Sequence, residues 1–411
     1  MTVVLDITGR CNASCRFCFG QKLKKNQIAP DMTLDDANNG LEFMKKMLGR
    51  FSVRISGTGD PLLNSDFIHI LNKSCTMTDF VSVNTNGIAL DKDMSNKILE
   101  TNISLIKISI TGFDYKTYNM FQGYGSTNDK LRNKVYSNVE YLLNKRNATR
   151  HKTRIAVQYI LINETKNDFF DYYDYWVNKV DDIFISTLNF QNNEIEGFKS
   201  HKSIEHLKMR NCGSFSKDWT LDAKGRILPC CGDYSKSLVV GNIKKQLPEE
   251  IMKSDEYIKA KRALTQESDF TSLPEICKSC EEITEKHKAA YVNCSWFKEF
   301  DMDKIKLLKG TPLVLYGANH LLLGFITKIK LFDDINAYDF VIVDKYKDEI
   351  PCPPLCVDEY EASKYKVYEP SIDIMSNKRI IVFATIRYSE VCMELNEIDL
   401  SCEPHIDFIS G

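Results

Sequence analysis

The chain has 411 residues, of which 43% are apolar, 27% are charged and 14 are cysteine. These fractions are typical of a globular protein and exclude a collagen-like chain, a coiled-coil rod and wholesale disorder, and the length predicts two to three domains. The formal charge of −2 provides no basic field, so we expect neither nucleic acid nor a membrane surface as a partner.

The first 190 residues alternate short β-branched runs with polar segments that are long enough for one helix each. A helix is predicted over Met32–Met47, capped near Thr33 with Asp35 and Asp36 in its first turn. This alternation predicts βαβ units, an α/β fold and a parallel sheet, arranged as a partial (β/α)6 TIM-type barrel. The predicted strands are Thr2–Ile7, Phe51–Ile55, Phe80–Asn84, Leu105–Ile110, Arg154–Leu161 and Ile183–Leu188.

Two polar junctions divide the remainder of the chain. They predict a barrel domain over residues 1–200, a small cysteine-bearing domain over 201–300 and a third domain over 301–411. The aromatic run Phe169–Trp176 is predicted to lie on a packed helix rather than to form a nucleic-acid stacking platform, because no basic groove accompanies it.

The amino terminus lacks the apolar segment of a signal peptide, and no apolar run is long enough to span a bilayer, which predicts a cytoplasmic location. A reducing cytosol argues against a disulfide framework, so metal or redox chemistry is the first explanation for the cysteines. Cys11, Cys15 and Cys18 follow the first strand with the spacing C-x3-C-x2-C. Zinc prefers C-x2-C pairs and four ligands, whereas three thiolates leave one iron of a four-iron cube open.

The stretch from Cys11 to Cys18, with the aromatic Phe17 before the third cysteine, resembles the signature of the radical S-adenosylmethionine (SAM) superfamily. The resemblance implies a [4Fe–4S] cluster ligated by these three cysteines, with SAM bound to the open iron. It also implies reductive cleavage of SAM to a 5′-deoxyadenosyl radical. An external electron donor such as flavodoxin or ferredoxin would supply the electron.

Residues at the ends of the next strands are similar to the SAM-binding positions of the superfamily. Thr58, Gly59 and Asp60 stand where the family has Gly-Gly-Glu-Pro, so the resemblance assigns the backbone here to the SAM amino group. Thr58 replaces a glycine and Asp60 replaces the glutamate. The resemblance places further SAM contacts on later strands, at Asn86, Ser109 and Gln158. Sites of barrel proteins lie at this end of the strands.

A second cysteine set comprises Cys212, Cys230, Cys277 and Cys280. The segment before Cys230 predicts a β-hairpin with its turn at Lys224-Gly225, and a helix is expected around Glu249–Ala263. The pattern resembles the SPASM and shorter Twitch auxiliary-cluster domains of radical SAM enzymes. It implies one auxiliary [4Fe–4S] cluster, although four cysteines would also suit zinc.

Cys231 lies beside a predicted ligand. It could be an alternative ligand, a small buried residue, or a catalytic thiol that returns a hydrogen atom to a substrate radical.

From Leu313 the sequence resembles the first strand, loop and helix of a Rossmann-like unit. Gly317 is at the first fingerprint glycine, and Asn319 stands at the second, where it tolerates the left-handed region. The third glycine is replaced by Leu322. We expect a Rossmann-like domain that binds a nucleotide or serves as an interaction module. His320 is interpreted as part of a helix start rather than a base.

These features predict an oxidoreductase or epimerase that acts on a carbohydrate or nucleotide-linked sugar. The first alternative is a peptide-modifying radical SAM maturase, which is disfavoured because only ten residues precede Cys11. The second is a non-catalytic iron–sulfur scaffold, which the intact core motif disfavours.

Overall fold

The computed structural model describes residues 1–18, 20, 28–123, 125–162, 164–186, 214–265, 273–278, 289–294, 297, 299–345, 367–384 and 388–408. Two of the predicted auxiliary ligands, Cys212 and Cys280, lie outside these residues.

The described strands, in chain order, are β1 Thr2–Asp6, β2 Ser52–Ile55, β3 Val81–Thr85, β4 Leu105–Ser109, β5 Arg154–Ile160, β6 Asp182–Ser186, β7 Asp218–Asp222, β8 Arg226–Leu228, β9 Gly241–Asn242, β10 Ala289–Asn293, β11 Leu313–Tyr316, β12 Phe340–Val343, β13 Val367–Tyr368, β14 Arg379–Val382 and β15 Cys402–Pro404. Each of the six strands predicted before residue 190 is present, with bounds that differ by one or two residues.

The described helices are α1 Leu34–Leu48, α2 Phe67–Met77, α3 Lys92–Leu99, α4 Tyr115–Phe121, α5 Lys130–Thr149, α6 Phe169–Trp176, α7 Ser214–Lys217, α8 Pro248–Lys253, α9 Asp255–Thr265, α10 Glu275–Lys278, α11 Met302–Lys306, α12 His320–Phe332, α13 Ile372–Met375 and α14 Tyr388–Asn396. None of them is long and apolar enough to cross a membrane. The predicted cap of α1 is confirmed, because Thr33 Oγ1 accepts a hydrogen bond from Asp36 N at 3.1 Å.

By internal contacts the chain divides into two compact units, the first comprising residues 1–156 with 188–287. In this unit β1 pairs in parallel with β2, β2 with β3 and β3 with β4. The alternating helices and parallel strands form an α/β fold consistent with a partial TIM-type barrel. The division does not test the predicted domain bounds near residues 200 and 300, which remain predictions.

The hairpin β7–β8 also belongs to the first unit and turns at Gly225, as predicted. Its strand β7 pairs in parallel with β1, from Thr2 opposite Asp218 to Asp6 opposite Asp222. The helix expected around Glu249–Ala263 is two helices, α8 and α9. The chain is extended at Ser254 between them, and Ser254 Oγ accepts a hydrogen bond from Tyr257 N at 3.2 Å.

The second unit comprises residues 157–187 with 288–411. Its five-stranded sheet has the order β13-β12-β11-β14-β15, and every pairing is parallel. This third–second–first–fourth–fifth order is the one that doubly wound sheets use. The aromatic run forms α6 and packs inward as predicted, with Phe169, Tyr172 and Trp176 fully buried.

Asn319 corrects the expectation of a left-handed residue in the loop after β11. Its backbone is extended, and its side chain caps α12 by accepting hydrogen bonds from Leu321 N and Leu322 N. The amide nitrogen of the same side chain donates to Phe383 O, so Asn319 bridges the loops after β11 and β14. The structure also pairs Cys392 with Cys402 as a disulfide, which the sequence did not predict.

Candidate functional site

The loop after β1 holds the three thiols of the first cysteine group. Cys11 Sγ accepts hydrogen bonds from Ala13 N and Asn86 Nδ2, each at 3.5 Å. Burial raises the pKa of Cys15 well above its usual range, and the neighbouring thiols of Cys18 and Cys11 raise it further. Neighbouring thiols that oppose the ionisation of Cys11 and Cys15 fit a cationic centre, because metal binding stabilises thiolates.

The described residues contain no group of three or more His, Cys, Asp or Glu side chains that could hold a single metal ion.

The loop after β2 lies directly against the cysteine loop. Asp60 N donates to Arg10 O at 2.8 Å. A Cβ atom built on Gly59 would stand only 2.3 Å from Arg10 O and 2.6 Å from Thr8 O. Only glycine therefore permits this approach of the two loops.

The Asp60 carboxylate is buried and connects the loop after β2 to the end of β3. It accepts hydrogen bonds from Leu62 N at 3.1 Å, Thr85 Oγ1 at 2.8 Å and Asn86 N at 2.7 Å. Burial raises the pKa of Asp60, and the three donors oppose that shift. Asp60 thereby positions Asn86, whose side-chain amide also donates to Asn12 Oδ1 at 2.9 Å.

Asp6, at the end of β1, is a buried residue that the sequence analysis missed. Its carboxylate accepts from Thr58 N at 3.1 Å and from Lys236 Nζ at 2.9 Å, and its side chain is only 1% exposed. The Thr58 amide is thus directed to Asp6. An acidic residue at the end of the otherwise apolar run Val3–Leu5 was the available signal.

The remaining predicted SAM contacts occupy several elements. The Phe17 ring lies 6.4 Å from the Phe121 ring of α4. Ser109 O accepts from Gln122 Nε2, and Gln122 Oε1 accepts from Thr111 N at 2.9 Å, so Gln122 organises the end of β4. Gln158 belongs to the second unit, where its Nε2 donates to Ser186 Oγ at 3.2 Å.

The segment after β8 places Cys230, one residue of the second cysteine group, beside the sheet. Thr220 Oγ1 donates to Cys230 O at 3.2 Å, and Gly232 N donates to Cys230 Sγ at 3.3 Å. The other member of this set within the described ranges, Cys277, lies on α10.

Cys231 follows β8, and its Sγ lies 3.7 Å from Oδ2 of Asp218, the first residue of β7. Burial raises the pKa of Cys231 to about 12, partly opposed by Arg54 and reinforced by Asp218 and Cys230. Burial therefore favours the protonated form of this thiol.

The family models match the parts of the chain that form this site. The radical SAM superfamily matches residues 5–175, which include the cysteine loop and the loops after β2, β3 and β4. The chain therefore contains a radical SAM domain. The SPASM iron–sulfur cluster-binding domain matches residues 212–281, a range that starts at Cys212 and ends one residue after Cys280.

Two curated relatives cover part of this radical SAM protein. Pre-heme d1 synthase of Dinoroseobacter shibae is 23% identical over 40% of this chain and 37% of its own length. A probable GTP 3′,8-cyclase of Methanothermobacter marburgensis is 29% identical over 28% of this chain and 36% of its own length. The chain thus spans little more than a third of the length of these relatives.

Two solved structures are similar to the chain, and the first has a score that indicates a shared fold. SuiB of Streptococcus suis, bound to the precursor peptide SuiA, has a TM-score of 0.50 at 14% identity, over 72% of this chain and 73% of that one. BtrN in complex with AdoMet and 2-DOIA has a TM-score of 0.46 at 16% identity, over 68% of this chain and 92% of that one.

As a radical SAM protein with a SPASM domain, the chain has a SAM-binding [4Fe–4S] cluster, an auxiliary iron–sulfur cluster and SAM as its cofactors. The cysteine loop fits the first cluster because its thiols are close enough to affect one another's ionisation. The assignment of individual residues to SAM, to the auxiliary cluster and to catalysis remains a prediction.

Proposed function

We propose that this radical SAM protein oxidises or epimerises a small polar molecule, either a carbohydrate or a nucleotide-linked sugar. One observation supports the catalytic part of the proposal. The cysteine loop, the loop after β2 and the Asn86 side chain form one connected set of contacts, held by Asp60. A catalytic radical SAM enzyme needs this preorganised surface, whereas an iron–sulfur scaffold does not.

The residues of this set have separate tasks. Cys11, Cys15 and Cys18 would hold the cluster, and the close approach at Gly59 exposes backbone groups to SAM. When bound, the cluster and SAM supply a 5′-deoxyadenosyl radical that takes hydrogen from an unactivated carbon. The protein contributes binding, orientation and exclusion of competing reactions.

Cys231 supports the epimerisation branch of the proposal. Its protonated thiol can give a hydrogen atom to a substrate radical, breaking S–H and forming C–H. An external donor such as reduced flavodoxin or ferredoxin would then return one electron, and solvent would return one proton. In the oxidation branch Cys231 is not required, because the substrate radical would instead lose one electron to the auxiliary cluster and one proton to solvent.

The test uses anaerobically reconstituted, reduced protein with SAM and deuterated nucleotide sugars. We expect release of 5′-deoxyadenosine and transfer of deuterium into it, with Cys11→Ala as the inactive control. Cys231→Ala should abolish epimerised product and leave oxidised product unaffected. Deuterium transfer from peptides alone would favour the maturase alternative, and the absence of 5′-deoxyadenosine under all conditions would refute the proposal.

A further inference from the structure

Arg54 and Lys107 lie on the same face of the parallel sheet in the first unit. Their strand neighbours Val53, Ile55, Ile106 and Ile108 are fully buried. Since successive side chains of a strand point to opposite faces, Arg54 and Lys107 point away from that apolar layer.

The strand register places polar residues beside both cations. Arg54 of β2 is aligned with Ser82 of β3, and Asn84 of β3 is aligned with Lys107 of β4. Ser82 and Asn84 are two residues apart and therefore share a face. The four side chains form a polar surface of hydroxyl, amide, guanidinium and ammonium groups, which we call the inner polar face.

The guanidinium of Arg54 retains hydrogen-bonding capacity. Its ion pair with Asp218 measures 3.6 Å, longer than the ~2.8 Å of a charge-assisted hydrogen bond, and its side chain is 27% exposed. Asp218 is also the neighbour of the Cys231 thiol. Arg54 therefore lies close to the residue that would donate hydrogen.

The two cations influence each other. Burial lowers the pKa of Lys107 to about 8, and the positive charge of Arg54 lowers it further, with Cys231 opposing. Two neighbouring cations in a half-buried site repel each other. An oxyanion between them would reduce this repulsion and offset the free-energy cost of desolvating the two charges.

The inner polar face also lies near the cofactor loop. Tyr234 is close enough to Cys231, Cys18, Asp6 and Arg54 for their charges to affect its pKa, which burial raises. Tyr234 therefore lies within electrostatic range of both the first cysteine group and Arg54. A group bound at Arg54 and Lys107 would be held near the radical chemistry.

We propose that Arg54 and Lys107 bind a carboxylate or phosphate group of the substrate beside Cys231, so that the substrate is an anion. This inference rests on the proposed function and specifies its substrate class. Arg54 would provide paired N–H donors to the oxyanion, and Lys107 would provide a compact positive charge.

The test measures anion binding to the anaerobic holoenzyme. Inorganic phosphate and pyrophosphate are titrated by ³¹P NMR, acetate is titrated by ¹³C NMR, and glucose is the uncharged comparison. We expect Arg54→Met and Lys107→Met each to weaken binding of the preferred anion by about tenfold or more. Arg54→Lys should retain part of the affinity because it keeps the charge.

Arg50→Met is the matched control, because Arg50 is 88% exposed and pairs with Asp79 on the surface. It should bind anions as wild type does. Circular dichroism checks the folding of each variant. If Arg54→Met does not fold, the anion affinities of the single variants Arg54→Lys and Lys107→Met decide the question. Unchanged affinity in the folded Arg54 and Lys107 variants, or equal loss in Arg50→Met, would overturn the inference.

Release of 5′-deoxyadenosine by wild type separates the two proposals. Wild type that releases it but binds none of the three anions overturns the anion site and leaves the proposed function standing. Wild type that binds anions through Arg54 and Lys107 but releases no 5′-deoxyadenosine supports the anion site and overturns the proposed function.

Discussion

Asp6 is a buried carboxylate whose partners come from two distant parts of the chain. Thr58 lies in the loop after β2, and Lys236 lies 230 positions further along the sequence. A Cβ atom on Gly57 would stand 1.9 Å from the Asp6 carboxylate, so the loop closes directly over it. The Asp6–Lys236 ion pair thus connects the segment after β8 to the loop after β2, which is expected to hold SAM.

Lys236→Met should destabilise the first unit strongly. The variant leaves Asp6 buried without its cation, which typically costs about 3–5 kcal/mol of unfolding free energy. Chemical unfolding of the full chain, followed by circular dichroism, measures this loss. We also expect weaker SAM binding, because Asp6 holds Thr58 N in place.

Lys244→Met is the control for this prediction. Lys244 pairs with Asp36 at 2.7 Å with both side chains partly exposed, and such pairs are worth about 0–1 kcal/mol. Equal losses of unfolding free energy in Lys236→Met and Lys244→Met would show that the buried Asp6–Lys236 pair is not specially important for stability.

At the scale of elements, sequence patterns predicted the parts that depend on local chemistry. The strands from β1 to β6, the cap at Thr33 and the turn at Gly225 follow from side-chain period, capping and backbone freedom. The pairing of β7 with β1 was not predictable, because more than two hundred residues separate the two strands. The same separation concealed the Asp6–Lys236 contact, and the break at Ser254 lies in a segment whose helical pattern continues past it.

The close approach of the loops after β1 and β2 gives a prediction for Gly59→Ala. The added Cβ would collide with Arg10 O and Thr8 O, which are backbone atoms and cannot move without displacing the cysteine loop. We expect loss of the first cluster, which removes about four irons per chain, together with loss of SAM binding. Iron analysis and equilibrium SAM binding measure the two effects.

Gly49→Ala provides the matched comparison. Gly49 has a φ of 74°, yet nothing lies within 4 Å of its Cβ position. The substitution should cost about 1–2 kcal/mol for left-handed backbone and leave the iron content unchanged. Full iron content in Gly59→Ala would show that the two loops tolerate separation.

At the scale of the whole molecule, the family matches divide the cysteines as their spacing predicted. Cys11, Cys15 and Cys18 fall within the radical SAM match, and the other predicted ligands fall within residues 212–281. The spacing could not distinguish iron–sulfur from zinc in the second set, because both accept four thiolates. The family match decides for iron–sulfur, while the ligand assignment still needs a test.

Removing one cysteine from each set should remove one cluster and leave the other. Two [4Fe–4S] clusters give about eight irons per wild-type chain, so Cys15→Ala and Cys277→Ala should each retain about four. Cys15→Ala should lose the EPR signal that changes on SAM addition, and Cys277→Ala should keep it. Cys75→Ser, a half-buried cysteine outside both sets, should retain all the iron. About eight irons in Cys277→Ala would exclude Cys277 as a ligand, and one zinc in place of the lost irons would contradict the auxiliary cluster.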